Sequence, residues 1–387
     1  MKDLKKEAEA LSDALVRTRR RLHAFAECGF ELPKTRDLVC TALKNMGYEP
    51  KSAGKGGVVA EGQSGKAGAP VVLLRADMDA LPIREETRLP FRAENGCAHA
   101  CGHDLHTTML LGAAFLLSCR TEGLPFRVRF AFEAAEETLS GAKELLAADL
   151  LSDVQAAIAL HAVPAVPYPT GTVILPPSGI GAPAAAFFTL TVKGESAHVG
   201  ESKRGKDALL HAVTLYGRMR EEAARYGEDF SLAVGRLWAG DAPNVVAGHA
   251  RIEGTFRTQN EEKMAAFRAF LLALAEESPR ETSLRFDGDC PPLLNDGGLL
   301  SVIKRMLDGE RIPSVSLPPV GAAAEDFAHV SHRVPSLMLA LAAGEVTRGY
   351  ERPLHHPAVL FDEDSLSHGA SLYAMSALAI GRAIAEK

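Results

Sequence analysis

Apolar runs alternate with amphipathic stretches along most of the chain, and this alternation predicts an α/β architecture. Val71 to Asp77 is an apolar run that ends in an acid, which is typical of a buried strand with a polar residue at its carboxyl end. Further strands are predicted over Phe126–Phe132 and Ala156–Leu160. The helices predicted in this part of the chain are 3–27, 34–46, 104–119 and 138–149.

The pattern changes near residue 180, where Pro176-Pro177-Ser178-Gly179 interrupts the chain. The next elements are predicted as strand 186–193, helix 206–225, strands 230–238 and 249–258, helix 261–277 and strand 282–287. This order is a βαββαβ unit of the ferredoxin-like kind. The α/β pattern then resumes. We therefore expect a catalytic domain made of residues 1–180 and 292–387, interrupted by an inserted smaller domain at 181–291.

Size and charge narrow the possible functions. A chain of 387 residues is long enough for two domains. A net charge of -6 argues against a nucleic-acid-binding surface, which would need excess Lys and Arg. No stretch approaches the ~20 apolar residues of a membrane span, and the first residues lack the apolar core of a signal peptide. We expect a cytoplasmic protein whose six cysteines are mostly free thiols.

The densest chemical signal is the segment 97–106, which contains three histidines, two cysteines and an aspartate. Thiolate and imidazole are the ligands that zinc prefers, so the segment predicts a metal site. A redox motif or a helix cap is the alternative at this stage.

Three weaker signals lie further along the chain. Glu136-Glu137 follows a predicted strand, and adjacent carboxylates suit a metal site where one binds an ion and the other accepts a proton. Alone, this pair could equally be a solvated acidic loop. His161 alone is typical of a core histidine, and His355-His356 alone is typical of a surface loop.

Together these residues indicate more than each does separately. Asp77, Glu136, Glu137 and His161 fall at or just beyond the carboxyl ends of predicted strands, the edge of an α/β sheet where ligands bind. No Gly-x-Ser-x-Gly motif and no phosphate-binding glycine loop is present. Hydrolysis by metal-activated water is therefore the chemistry that the residues favour.

The ordered motifs resemble the M20 metallopeptidase family, in particular its aminoacylase/amidohydrolase branch of hippurate hydrolases, auxin-conjugate hydrolases and N-acetyl-diaminopimelate deacetylases. The resemblance covers nearly the whole chain. It is carried by Arg21-Leu22-His23, Leu74–Ile83, Cys101-Gly102-His103-Asp104-Leu105-His106, Ala135-Glu136-Glu137, Asp241–Val246, Gly254–Thr258 and Ala324-Glu325-Asp326-Phe327.

The resemblance implies two divalent ions, zinc or manganese, with cobalt or nickel as further possibilities. It implies the metal ligands Cys101, His103, Glu137, His161 and His356. Glu136 would be the general base for a metal-bridging water, and Asp77 would orient a ligand imidazole. His198 would stabilise the oxyanion, while Asn244 and Arg257 would hold the substrate carboxylate. The resemblance also implies that the inserted domain at 181–291 is a lid and dimerisation domain, through which a homodimer forms.

The implied substrate is a small N-acyl amino acid, N-acetyl or N-aroyl, or a peptide-like molecule. A dipeptidase or carboxypeptidase of the same family is the near alternative, because the metal chemistry is shared and specificity depends on the pocket. An inactive metal-binding scaffold is the distant alternative. Arg75 departs from the wider family, which has a metal-ligating histidine at that position.

Overall fold

The structure, a computed structural model, describes residues 2–62, 68–118, 120, 123–316 and 323–386. Its strands are β1 Lys51–Ala53, β2 Gly57–Glu61, β3 Val71–Asp77, β4 Arg127–Glu133, β5 Val154–Val163, β6 Val173–Leu175, β7 Gly179–Ala182, β8 Ala184–Lys193, β9 Phe230–Ala239, β10 His249–Thr258, β11 Glu281–Cys290, β12 Leu293–Asn295, β13 Ser314–Ser316 and β14 Ser336–Ala342. Its α-helices are α1 Lys2–Ala10, α2 Ser12–Phe25, α3 Pro33–Asn45, α4 His103–Ser118, α5 Gly141–Ala147, α6 Ala208–Ala224, α7 Glu261–Glu276, α8 Gly297–Glu310, α9 Ala328–Ser331 and α10 Ser365–Ala385. Short 3-10 helices cover Glu136–Thr138, Val199–Arg204 and Val346–Arg348.

The chain forms two compact units. The first comprises Met1–Gly181, Leu294–Val320 and Asp326–Lys387, and the second comprises Ala182–Leu293 and Gly321–Glu325. Their roles as a catalytic domain and a lid or dimerisation domain stay predictions.

An eight-stranded sheet forms the centre of the first unit, in the order β1-β2-β4-β3-β5-β14-β6-β13. Its four middle strands, β4, β3, β5 and β14, are mutually parallel neighbours. Every residue of β3 is buried, as expected for a strand covered on both faces. Helices α4 and α10 pack on each other, and α4 is buried on almost every side. The carboxyl ends of the four parallel strands therefore meet at one edge.

The second unit has the βαββαβ order of elements that the sequence predicts. Its four antiparallel strands lie in the order β11-β8-β10-β9, and helices α6 and α7 pack against them. Its core is aromatic and aliphatic, with Phe188, Phe256 and Phe267 almost fully buried. Asp207 and Asn260 cap the two helices by accepting backbone N–H groups of their first turns.

Two expectations differ from the structure. The single helix predicted over 3–27 is divided at Leu11, whose N–H bonds to the carbonyl of Ala8 three residues back, a tighter turn than an α-helix makes. Cys28 is paired with Cys97 in a disulfide, so the expectation of mostly free thiols is wrong for these two. Cys40 and Cys101 are free thiols, and Cys119 lies outside the described residues. Among the helices that the structure describes, none is long and apolar enough to cross a membrane.

Candidate active site

The parallel strands bring the acidic residues to one place. Strand β3 ends at Asp77, Asp79 follows two residues later, and the 3-10 helix that begins at Glu136 follows β4. His161 lies near the carboxyl end of β5. Asp77 pairs with Glu133 across β3 and β4, so the segments that leave these two strands start side by side.

A glycine turn places Cys101 and His103 next to these strand ends. Gly102 has a φ of +87°, and a Cβ at this position would lie 3.0 Å from the ring of Phe361. Both observations restrict the position to glycine. The turn puts Cys101 two residues before His103, the first residue of α4, and both side chains are buried.

The first group of converging donors consists of Cys101, His103 and His161, whose ligand atoms all lie within 4.8 Å of one another. Cys101 Sγ lies 3.5 Å from His161 Nε2. His161 Nδ1 lies 2.9 Å from the carbonyl of Ala162, which can only accept, so Nδ1 carries the proton and the lone pair of Nε2 points to the thiol.

The second group consists of Cys101, Glu137 and His355 and meets the same distance limit. His355 Nε2 lies 3.3 Å from Cys101 Sγ and 3.6 Å from Glu137 Oε1. The two groups have Cys101 in common. His103 Nε2 and Glu137 Oε1 are 3.8 Å apart, which brings the groups together into one cluster.

His356, the predicted fifth ligand, is not part of this cluster among the described residues. Its Nδ1 accepts the N–H of Ala358, so the ring is turned into its own loop. His355 takes the place because its N–H bonds to the carbonyl of Ala100, next to Cys101, with a φ of +65° that directs the side chain towards the thiol. The structure thus brings His355, and not the predicted His356, to the thiol, and which of the two binds metal is tested below.

Asp79 holds the segment that carries the two glutamates. Its Oδ1 accepts the N–H of Glu136 at 3.1 Å and its Oδ2 that of Glu137 at 3.3 Å. Asp79 Oδ1 also lies 3.5 Å from His103 Nδ1, so one carboxylate contacts both the glutamate segment and a candidate ligand. Glu136 Oε2 lies 3.8 Å from His103 Nε2.

Asp77 contacts a histidine outside the predicted ligand set. Its Oδ1 lies 2.6 Å from His106 Nδ1, and His106 Nε2 accepts the N–H of Ala162 at 2.8 Å. Both ring nitrogens of His106 are thereby used, which leaves no lone pair for an ion. That Asp77 orients a ligand imidazole stays a prediction. Its Oδ2 lies 3.8 Å from His103 Nε2, while Asp79 lies beside His103 Nδ1.

The site carries an excess of buried negative charge. Burial alone would lower the pKa of His103, but the carboxylates of Asp77, Asp79 and Glu137 outweigh it and raise this pKa to about 10. Burial, with Glu137 and Glu136 nearby, raises the pKa of the Cys101 thiol well above its usual range. Burial also raises the pKa of Glu137. Additional positive charge would therefore stabilise this cluster.

The donor set fits divalent metal ions. A thiol, imidazoles and a carboxylate are the ligands of zinc and related transition metals. His103 Nε2 and Glu137 Oε1 are buried and make no hydrogen bond within the described part of the chain, although buried polar atoms normally have a partner. An ion bound between the donors would supply those partners.

The three predicted substrate-binding residues lie in the second unit. His198 and Asn244 are close to each other, because His198 pairs with Val245 in a β-bridge and the Asn244 carbonyl accepts the N–H of Val199 at 3.1 Å. Both residues are exposed, and His198 Nδ1 accepts the N–H of Gly200. Arg257 lies near the end of β10.

Sequence reasoning missed His355 as a member of the cluster, and it missed Asp79 and His106 as residues that contact the site. Asp79 had the same signal as Asp77, an acid just beyond the end of a buried strand, and His106 lay inside the segment already singled out. Choosing between His355 and His356 required the path of the loop.

Comparisons with known proteins identify the family to which the chain belongs. The sequence matches Peptidase family M20/M25/M40 over residues 73–379. It is 32% identical to the N-acetyl-L-cysteine deacetylase of Bacillus subtilis, with 92% of this chain and 85% of that protein covered. It is 27% identical to thermostable carboxypeptidase 1 of Saccharolobus solfataricus, with 97% of each covered. Among solved structures, the YXEP protein of Bacillus subtilis, a dinuclear metal binding peptidase from the M20 family, has a TM-score of 0.74 and 28% identity, with 97% of this chain and 99% of that one covered. The chain therefore belongs to peptidase family M20/M25/M40 and is a metal-dependent amidohydrolase of that family.

Proposed function

We propose that the protein hydrolyses the amide bond of N-acetyl or N-aroyl amino acids with two divalent ions held on either side of Cys101. The observation that carries the proposal is the pair of three-residue donor groups with one thiol in common. The deacetylase relative supports an acylated amino acid as the substrate class.

Cys101, His103 and His161 would hold one ion, and Cys101, Glu137 and His355 would hold the other. When bound, the ions lower the pKa of water towards about 7 and polarise the scissile carbonyl. Thiolate and imidazole favour zinc, and manganese, cobalt or nickel also suit such a site. Cys101 would bind as the thiolate, so uptake of metal releases its proton.

Glu136 is the proposed general base. It belongs to neither of the two groups that contain Cys101, and its backbone is fixed by Asp79. Its carboxylate would accept a proton from the attacking water and return it to the leaving nitrogen. The adjacent Glu137 is the member of the pair that would bind metal.

The second unit would supply the contacts to substrate. By the family resemblance, His198 stabilises the oxyanion, while Asn244 and Arg257 bind the substrate carboxylate, for which a guanidinium is well shaped.

Arg257→Gln should raise KM for a free acid about tenfold or more, and should leave KM for the corresponding methyl ester unchanged. An equal effect on both substrates would exclude the carboxylate contact.

We also propose a homodimer formed through the second unit. Strand β9 is an edge strand, and edge strands readily pair with another chain. On α6, Leu210 and Val213 are 65% and 50% exposed and lie on one face. Sedimentation analysis should show a dimer for the wild type and a monomer for Leu210→Glu. The control variant Leu272→Glu, on α7, should remain a dimer. A monomeric wild type would refute the proposal.

A dipeptidase or carboxypeptidase activity is the second candidate, which the carboxypeptidase relative supports. Amine release from N-acetyl and N-benzoyl amino acids and from dipeptides, with metal-loaded and chelated protein, separates the candidates. Acylated amino acids should be cleaved faster, and only with metal. Cleavage of dipeptides alone would assign a peptidase activity to the same site. No cleavage of any substrate would favour an inactive scaffold.

Glu136→Gln should keep two ions per chain and lower kcat by about 10²–10⁴-fold, because it removes the proton acceptor and retains the ligands. Metal analysis and steady-state kinetics on the same preparation check this. Turnover within tenfold of the wild type would contradict the assignment of the base.

His355→Ala should lower the metal content from two ions per chain to one and abolish most turnover, since it removes a donor next to Cys101 and Glu137. His356→Ala is the matched control, one residue away, and should keep both ions and near-normal kcat. The opposite result would restore His356 as the ligand.

A further inference from the structure

Arg75 forms the centre of a buried group of charges beside the candidate active site. Its guanidinium is 1% exposed and donates to three carboxylates, Asp77 at 2.8 Å, Glu133 at 2.7 Å and Asp326 at 3.1 Å. These carboxylate side chains are at most 1% exposed. A planar guanidinium can satisfy several carboxylates at once because its five N–H groups have fixed directions.

Two of the three contacts fix the ends of the segment that carries Glu136 and Glu137. Glu133 begins this segment at the end of β4. At its other end, Asp326 Oδ2 accepts the N–H of Ala142, in the first turn of α5, at 3.0 Å. One guanidinium therefore holds a ten-residue stretch, 133–142, at both ends.

The segment between these ends has a backbone that must be held in place. Ala135 and Leu139 have φ values of +62° and +52°, a left-handed conformation that residues with a side chain rarely adopt. At Gly141, a Cβ would lie 1.9 Å from the carbonyl oxygen of Ala134, so the segment closes tightly on itself. Such a conformation persists only where its surroundings enforce it.

The third contact of Arg75, with Asp77, connects it to the side of the site where His161 lies. Asp77 joins Arg75 to His106, and His106 accepts the N–H of Ala162, the residue after His161. Arg75 is thus connected to the segment of the proposed base on one side and to a candidate ligand on the other.

We propose that Arg75 is a positioning residue that sets the Glu136-Glu137 segment relative to His161. Its effect on catalysis rests on the hydrolytic function proposed above. Lysine would keep the positive charge but would lose the fork that reaches three carboxylates, so charge and positioning can be separated by substitution.

The test compares Arg75→Lys with Arg129→Lys, both loaded with metal. Arg129 is a matched control, because it is also a buried arginine of the central sheet, but it donates to the carbonyls of Leu150 and Ser152, away from the cluster. Arg75→Lys should lower kcat by about 100-fold with KM within about threefold, since a misplacement of about 1 Å can cost that much. It should also change the visible absorption spectrum of the cobalt-loaded protein. Arg129→Lys should change neither kcat nor the cobalt spectrum, even if its Tm falls as far as that of Arg75→Lys.

A kcat and a cobalt spectrum like those of the wild type in Arg75→Lys would overturn the proposal. An equal loss of kcat in Arg129→Lys would overturn it too, since the loss would then follow stability. If Arg75→Lys does not fold, Asp326→Ala serves instead, because it removes the contacts of Asp326 with Arg75 and Ala142 but leaves those of Arg75 with Asp77 and Glu133. That variant should show the same changes to a smaller extent. A kcat and a cobalt spectrum like those of the wild type would overturn the proposal. A wild type that cleaves no substrate would refute the proposed function instead, and the cobalt spectra would still test the positioning role.

Discussion

Five carboxylates lie within or beside the buried edge of the central sheet, Asp77, Asp79, Glu133, Glu136 and Glu137, and their mutual repulsion is the constraint on which the site depends. A buried cluster of this charge is stable only with cations close by. Arg75 provides one fixed cation, and the raised pKa of His103 is the response of an imidazole to the same field. Two bound metal ions would compensate the remaining negative charge of the carboxylates, and the same ions would take part in catalysis.

The fold explains why these groups converge. Four parallel strands end at one edge, and each loop that leaves them brings a different functional group. The Cys101-Gly102-His103 turn then adds a thiol and an imidazole where the strands end. Relatives of this chain include a deacetylase and a carboxypeptidase, so members of the family act on different amide bonds. We therefore expect the choice of substrate to depend on groups beyond the proposed metal ligands.

The sequence predicted much of this because strand ends and close spacing are local properties. The run that ends at Asp77, the Cys-Gly-His turn and the βαββαβ order could all be read from short windows. Contacts between distant residues could not. Asp326 is 251 residues from Arg75, Cys28 pairs with Cys97 across 69 residues, and the loop conformation at His355 decides which of two adjacent histidines faces the thiol. The domain roles, the cytoplasmic location and the identity of the metal stay predictions.

The proposed site requires one thiol to bind two ions. A crystal structure of the zinc-loaded protein, with diffraction data collected at the zinc absorption edge, would test this requirement. We expect two anomalous peaks per chain, each about 2.3 Å from Cys101 Sγ, one beside His103 and His161 and the other beside Glu137 and His355. A single peak, or two peaks of which only one contacts Cys101, would contradict it.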